Sequence, residues 1–284
     1  MIEVIDHIDA LRARVAAWKR DGLRVGFVPT MGNLHAGHFS LIELARRHAD
    51  KVVASVFVNP TQFGPNDDFG RYPRTHAADA QGLDVAGCDV LWLPSIETMY
   101  PYGIDSAVQM YVPGITDTLD GVHRPGHFDG VATVVARLFN QVQADVAVFG
   151  RKDYQQLAVI RYLVRDLAFP LEILAADTLR DGDGLALSSR NQYLNEQERV
   201  IAPGIHRVLE AMRVAWQAGT PRCVIEASAD RTLRDAGFEP DYAVLRRPDF
   251  SEPEDGEPGT LIALVAARLG STRLIDNLEF DTRI

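Results

Sequence analysis

Pro29-Thr30-Met31-Gly32-Asn33-Leu34-His35-Ala36-Gly37-His38 is the stretch from which the fold of this chain can be read. A short apolar run, Val25 to Val28, precedes it. Phe39-Ser40-Leu41-Ile42-Glu43-Leu44-Ala45-Arg46-Arg47 follows, with apolar residues at helical spacing. The pattern predicts a strand, a glycine-bearing loop and a helix. Gly32 and Gly37 let the backbone approach a ligand where a Cβ would obstruct it. His35 and His38, three apart, share one face of the first helical turn. Unpaired N–H groups and the positive end of the helix dipole lie at the same place and favour bound phosphate. Two imidazoles there can hydrogen-bond phosphate oxygens as charge builds on them.

Working outward, residues 7–20 read as an amphipathic helix ended by Asp21-Gly22, and Arg24–Pro29 as the first strand. Lys51–Val58 is a nearly continuous apolar run with β-branched residues, the pattern of a strand buried on both faces of a parallel sheet. It ends at Asn59-Pro60-Thr61-Gln62-Phe63. Ligands of open α/β sheets collect at the carboxyl ends of strands, which makes Asn59 and Gln62 candidate polar contacts. A charged loop, Asn66 to Thr75, leads to a predicted helix His76–Ala86 and a strand Asp89–Leu93. Residues 94–129 are irregular, punctuated by Pro94, Pro101, Pro113 and Pro125, with one strand predicted at Ala107–Tyr111. So long an irregular stretch is usually functional.

Gly130–Gln143 reads as a helix and Asp145–Phe149 as a short buried strand running into Gly150-Arg151-Lys152-Asp153. Helix Tyr154–Leu167 and strand Leu171–Ala175 complete a β-α alternation that predicts a doubly wound, Rossmann-like α/β parallel sheet. Asp181-Gly182-Asp183-Gly184 then reads as a flexible hinge. Beyond it lie two predicted helices, Glu196–Ala218 and Pro221–Ala236, and strands Tyr242–Arg246, Leu261–Ala266 and Arg273–Asn277. That half reads as a smaller α+β domain, giving a division into residues 1–178 and 179–284.

The chain has 284 residues, 46% hydrophobic and 24% charged, ordinary values for a soluble globular protein with ample core. Its net charge of −10 argues against a nucleic-acid surface, which needs a basic footprint. Cys88 and Cys223 form neither a disulfide framework nor a zinc spacing, and a reducing compartment is the economical expectation. Acids at the N-terminus, where a signal peptide carries bases, and apolar runs too short for a membrane span predict a cytoplasmic protein with no membrane partner.

Lys152 follows a strand end and a glycine, as a phosphate-contacting lysine should, although a solvated helix start looks the same. Ser188-Ser189-Arg190 offers two hydroxyls and a fixed cation, in the manner of a mobile basic loop over phosphates. Standing alone, it is equally a serine N-cap. Asp181 and Asp183 lack the further acidic ligands of a calcium loop. His123 and His127 have a metal-like spacing but no third ligand, so zinc is not expected. No G-x-S-x-G elbow, Walker A loop or Rossmann G-x-G-x-x-G is present.

The H-x-G-H of His35 and His38 is that of the nucleotidyltransferases and class I aminoacyl-tRNA synthetases. Taken with SVFVNPTQF at 55–63, RYPRT at 71–75, RPGHFDGVATVV at 124–135, FGRKDYQQL at 149–157, LALSSRNQYL at 185–194 and TRLIDN at 272–277, the chain resembles the pantoate–β-alanine ligases throughout its length. The resemblance implies ATP-dependent joining of pantoate to β-alanine through a pantoyl adenylate, with release of AMP and pyrophosphate, and a homodimer. It assigns ATP contacts to Met31, Gly32, Asn33, Leu34, His35, Ala36, Gly37 and His38, with both histidines on the phosphates and His38 as proton donor. Gly150, Arg151, Lys152, Asp153 and Leu179 would hold the adenosine part, with Lys152 also reaching phosphate. Leu187, Ser188, Ser189 and Arg190 would close over the triphosphate. Gln62 and Gln156 would hold pantoate, Gln62 would also line the β-alanine site, and Asn59 and Tyr72 would border it. Asp79 would contact Mg²⁺. The chain departs from the family pattern at Asn33, where alanine is frequent, and at Arg151, where glutamine or glutamate is common. A nucleotidyltransferase acting on a phosphate ester would share the histidines without needing the paired glutamines. A non-catalytic nucleotide-binding protein would need neither.

Overall fold

The structure, a computed structural model, describes residues 2–64 and 69–282, so Asn66, Asp67 and Asp68 of the charged loop lie outside the described residues. The chain divides into two units, Met1–Arg151 with Gln155–Asp177, and Lys152–Tyr154 with Thr178–Ile284.

In the first unit β-branched runs alternate with amphipathic stretches and build a doubly wound sheet. Its strands are β1 (Glu3–Ile5), β2 (Val25–Thr30), β3 (Lys51–Val56), β4 (Val90–Trp92), β5 (Val146–Gly150) and β6 (Glu172–Ala176). The helices are α1 (Ile8–Arg20), α2 (Ala36–His48), α3 (His76–Val85), α4 (Ile96–Met99), α5 (Asp120–His123), α6 (His127–Val142) and α7 (Tyr154–Asp166). The sheet order is β1-β4-β3-β2-β5-β6 and every pairing is parallel. Strands of this kind bury both faces. Phe27, Val53 and Val90 enter one apolar core, while Val28, Val52 and Leu91 enter the other. Phe139 of α6 anchors the first core. Its ring meets those of Phe27, Phe149 and Phe169 edge to face, at centroid distances of 6.5, 6.2 and 5.6 Å. Each such pair contributes about 0.5–1.5 kcal/mol beyond its buried area.

From β2 the chain runs outward to β3 and β4, then returns to the other side of β2 for β5 and β6. The winding direction therefore reverses between β2 and β5. At such a switch point the loops leaving the strand ends part and leave a crevice, the usual ligand site of these sheets.

The second unit carries α8 (Glu196–Ile201), α9 (Gly204–Gln217) and α10 (Arg222–Asp235) with an antiparallel sheet of β7 (Glu239–Arg246), β8 (Thr260–Leu269) and β9 (Thr272–Asp281). Leu209, Met212 and Leu233 pack with Leu245, Leu261 and Val265 in its core.

Several expectations are corrected. The single helix Glu196–Ala218 is two, because Pro203 lacks the N–H that would continue α8. Ala107–Tyr111 forms no strand. Side chains hold that region instead: Met110 N donates to Thr133 Oγ1 at 2.8 Å, and Arg137 donates to the carbonyls of Met99 and Val108. The expected hinge at 181–184 is a braced turn. Arg199 donates to Asp181 at 2.8 Å and to Asp183 at 2.5 Å, while Arg180 grips Asp276 with two bonds of 2.6 and 2.9 Å. The Arg199 guanidinium also holds the Asp183 carboxyl below its usual range. Strand β1, three residues long, is too short to leave a periodic signal. Among the described residues, no helix is long and apolar enough to cross a membrane.

Candidate active site

The loop after β2 is built to hold one unusual shape. Gly32 and Asn33 both have positive φ, 86° and 52°. Glycine adopts this region freely, and asparagine tolerates it better than most side chains. The departure at Asn33 therefore suits the backbone it occupies. A Cβ on Gly32 would lie 2.9 Å from Val56 Cγ1 and 3.0 Å from Asp79 Oδ2, so the loop sits tightly on its support.

That support is Asp79, 2% exposed. Its Oδ2 accepts from Asn33 N at 3.1 Å and from Thr75 Oγ1 at 3.1 Å, and its Oδ1 accepts from Leu34 N at 2.8 Å. Both oxygens of Asp79, the residue expected to contact Mg²⁺, thus accept hydrogen bonds from the loop or from the start of α3. Among the described residues no group of three acidic, histidine or cysteine side chains could hold a metal ion. Asp79→Ala is expected to lower stability by about 2 kcal/mol, the cost of stranding charge-assisted backbone donors in a buried place. A thermal unfolding curve matching the wild type would remove this role.

His35 is the N-cap of α2, and its Nδ1 accepts from Gly37 N at 3.1 Å. His38 Nδ1 accepts from His35 N at 3.3 Å, closing a reciprocal capping box. Caps of this type satisfy N–H groups that the helix itself leaves unpaired. They also select a tautomer. A nitrogen that accepts carries no proton, so each neutral ring bears its hydrogen on Nε2. The rings lie 4.1 Å apart at 49°. The start of α2 thus carries two imidazoles whose Nε2 bears the hydrogen, alongside the positive end of the helix dipole.

The next loop is tied to the first. After β3, a 3₁₀ turn spans Pro60–Gln62 with Asn59 as its cap. Asn59 is 1% exposed and uses its amide inside the protein. Its Oδ1 accepts from Tyr100 OH at 2.6 Å and from Thr61 Oγ1 at 3.1 Å, and its Nδ2 donates to Gln62 Oε1 at 3.0 Å and Gly130 O at 3.2 Å. Burial pushes the Tyr100 phenol above its usual range, so it stays an O–H donor. Asn59, expected to border a substrate pocket, spends its amide on these internal bonds, one of which holds the Gln62 side chain. Gln62 Oε1 accepts from Asn59, and Gln62 Nε2 donates to Met31 Sδ at 3.1 Å. Tyr72 is buried, with its ring 5.9 Å from Phe63 and edge-on to it.

Gly150 ends β5 at the other side of the switch point. Arg151 N donates to Ala176 O at 2.8 Å, and its side chain meets the exposed Asp177 at 3.2 Å, a surface pair of little energetic weight. Gln156 is half-buried in the first turn of α7. Its neighbour Gln155, which the sequence does not mark out, accepts from Asp120 N and donates to the carbonyls of Ile115 and Thr118. It pins the irregular stretch to α7.

In the second unit, Lys152 O accepts from Asn277 Nδ2 at 2.8 Å, and Lys152 Nζ lies 3.8 Å from Asp153. Leu187 N donates to Leu179 O at 2.9 Å, which brings those two expected contacts side by side. Ser188 caps a 3₁₀ turn over Ser189–Tyr193, its Oγ accepting from Arg190 N at 3.3 Å. Ser188, Ser189 and Arg190 are half-buried.

The family model for pantoate-beta-alanine ligase matches residues 3–279. The chain belongs to the pantoate–β-alanine ligase family. It is 64% identical over 280 residues to a pantothenate synthetase of Xanthomonas oryzae pv. oryzae, covering 99% of this chain and 100% of that one. A crystal structure of pantothenate synthetase from Thermus thermophilus superposes with a TM-score of 0.90 at 47% identity, over 98% of this chain and 99% of that one. A pantoate-beta-alanine ligase from Francisella tularensis, complexed with beta-gamma ATP and beta-alanine, gives 0.82 at 32% identity over 100% and 99%. Membership makes this chain an enzyme of amide-bond formation. Within the ligase's first unit, the histidine loop and the glutamine turn meet at the contact of Gln62 Nε2 with Met31 Sδ.

Proposed function

We propose that the chain condenses (R)-pantoate with β-alanine, consuming ATP, through a pantoyl-adenylate intermediate. One observation carries this reading: two histidines whose Nδ1 atoms accept from backbone N–H groups cap the start of α2, and the Gln62 amide reaches the loop that precedes them at Met31 Sδ. The ATP and β-alanine bound by the Francisella relative support it.

Direct condensation fails because a carboxylate is a poor electrophile with no good leaving group. In the proposed first step a pantoate carboxylate oxygen attacks the α-phosphorus and pyrophosphate leaves. In the second the β-alanine amine attacks the acyl carbon, AMP leaves, and the amine gives up a proton. Positioning and charge stabilisation supply most of the acceleration in such transfers. His35 and His38 donate to phosphate oxygens, with Lys152 and Arg190 as cations on the same polyphosphate. Gln62 and Gln156 hold pantoate, and Gln62 also lines the β-alanine site with Tyr72. Gly150 to Asp153, with Leu179, receive the adenosine part, and Leu187 to Arg190 close over the triphosphate. ATP enters as its Mg²⁺ complex, the ion held by phosphates and water, with no carboxylate of this chain assigned to it. Residues 1–178 bind ATP and pantoate, residues 179–284 act as a lid, and the enzyme works as a cytoplasmic homodimer.

The test is incubation with ATP, Mg²⁺, pantoate and β-alanine. Pantothenate and AMP are the expected products in equal amounts, and pantoate alone should support ATP–pyrophosphate exchange. ADP formation, or exchange indifferent to pantoate, would overturn the reading.

A further inference from the structure

RPGHFDGVATVV at 124–135 supplies none of the proposed substrate contacts, yet its His127 hydrogen-bonds the residue proposed to hold pantoate. We propose that His127 is a positioning residue that fixes the backbone of Gln62, and with it the direction of the Gln62 amide; this rests on the reading of Gln62 as the pantoate contact.

His127 opens α6, following Gly126 in the left-handed region at φ 78°. Its Nδ1 lies 2.8 Å from Gln62 O, and its Nε2 lies 3.0 Å from Arg124 Nη1. A carbonyl oxygen only accepts and a guanidinium only donates, so the two partners together choose the tautomer. Nδ1 carries the hydrogen and donates to Gln62 O, and Nε2 accepts from Arg124. Its ring also lies 5.0 Å from that of Phe128, which is 3% exposed. The imidazole is therefore held on the Gln62 carbonyl by an arginine on one side and by the helix start on the other.

Three further contacts give this bond its consequence. Asn59 holds Gln62 Oε1, so the far end of the side chain is already committed. Gly130, one turn into α6, lies so close that a Cβ there would meet Thr61 O at 2.4 Å and Gln62 Cα at 2.7 Å. Asn59 Nδ2 also donates to Gly130 O. The 3₁₀ turn is thus set against α6 by three groups, and of these it is His127 that hydrogen-bonds the main chain of Gln62 itself. Loss of that bond frees the Gln62 carbonyl, while Asn59 keeps the amide tethered, so Gln62 rotates about the tether. The predicted defect falls on pantoate and spares the nucleotide.

The experiment measures pantoate-dependent ATP–pyrophosphate exchange, without β-alanine, in His127→Ala, His127→Asn and His127→Asp, with Gln62→Ala alongside. Asparagine keeps a donor near the place of Nδ1, whereas aspartate, nearly the same shape, faces the carbonyl with a lone pair. Expected are a pantoate KM raised about tenfold in the alanine and aspartate variants, recovery to within about threefold in the asparagine variant, and an ATP KM unchanged in all three. Should His127→Ala not fold, the asparagine–aspartate pair carries the test by itself. Equal KM values for pantoate in that pair, or a defect shared equally by ATP, would overturn the proposal while leaving the role of Gln62 standing. An unchanged pantoate KM in Gln62→Ala would sink both.

Discussion

His38→Ala is expected to reduce pantoate-dependent ATP–pyrophosphate exchange by about 10²–10⁴-fold while leaving the protein folded. The substitution removes an Nε2 donor whose direction is set by the Nδ1 contact with His35 N. It also removes half of the capping box at the start of α2, which costs about 1 kcal/mol of stability. The two effects separate cleanly in measurement, since a loss of that size moves the melting temperature by only a few degrees in a protein of this length. Exchange at the wild-type rate, or a variant that fails to fold, would remove His38 from the reaction.

Gly130→Ala is expected to be the most damaging single methyl group that can be added near the glutamine turn. The new Cβ would stand 2.4 Å from Thr61 O and 2.6 Å from Thr61 C. Both are backbone atoms, so neither can rotate aside as a side-chain tip could. Overpacking of this kind costs about 1–3 kcal/mol, and here the turn bearing Gln62 is what must move. Thermal unfolding should begin about 5 °C lower, and the pantoate KM should rise by about tenfold or more. A variant with wild-type melting and wild-type pantoate KM would show that α6 and the turn are not in fact so close. Because His127 and Gly130 act on the same turn, their effects should not add.

Much of this was legible in the chain. Apolar runs such as Lys51–Val56 and Val146–Gly150 are visible because a strand buried on both faces has no polar alternation to hide in. The loop and helix around His35 and His38 were legible because glycines and a helical period surround them. Illegible were the contacts made by single side chains to distant backbone. Gln155 on Ile115 and Thr118, Arg137 on Met99 and Val108, and Asp79 on Asn33 and Leu34 span up to 46 residues and leave no periodic trace. The same holds for the acid-rich segment at 181–184, which looks loose in sequence until Arg199 from α8 takes both carboxylates.

The sequence by itself determined the strand order's raw material, the doubly wound class, the smaller α+β half and the family. Those follow from local period and from motifs that sit within a few residues of one another. Only the tertiary structure decided what the polar residues do: that Asp79 supports a loop, that Asn59 serves Gln62, and that each histidine of the α2 cap carries its hydrogen on Nε2. Hydrogen-bond direction depends on the partner across space, and a donor's partner is set by packing rather than by its neighbours in the chain.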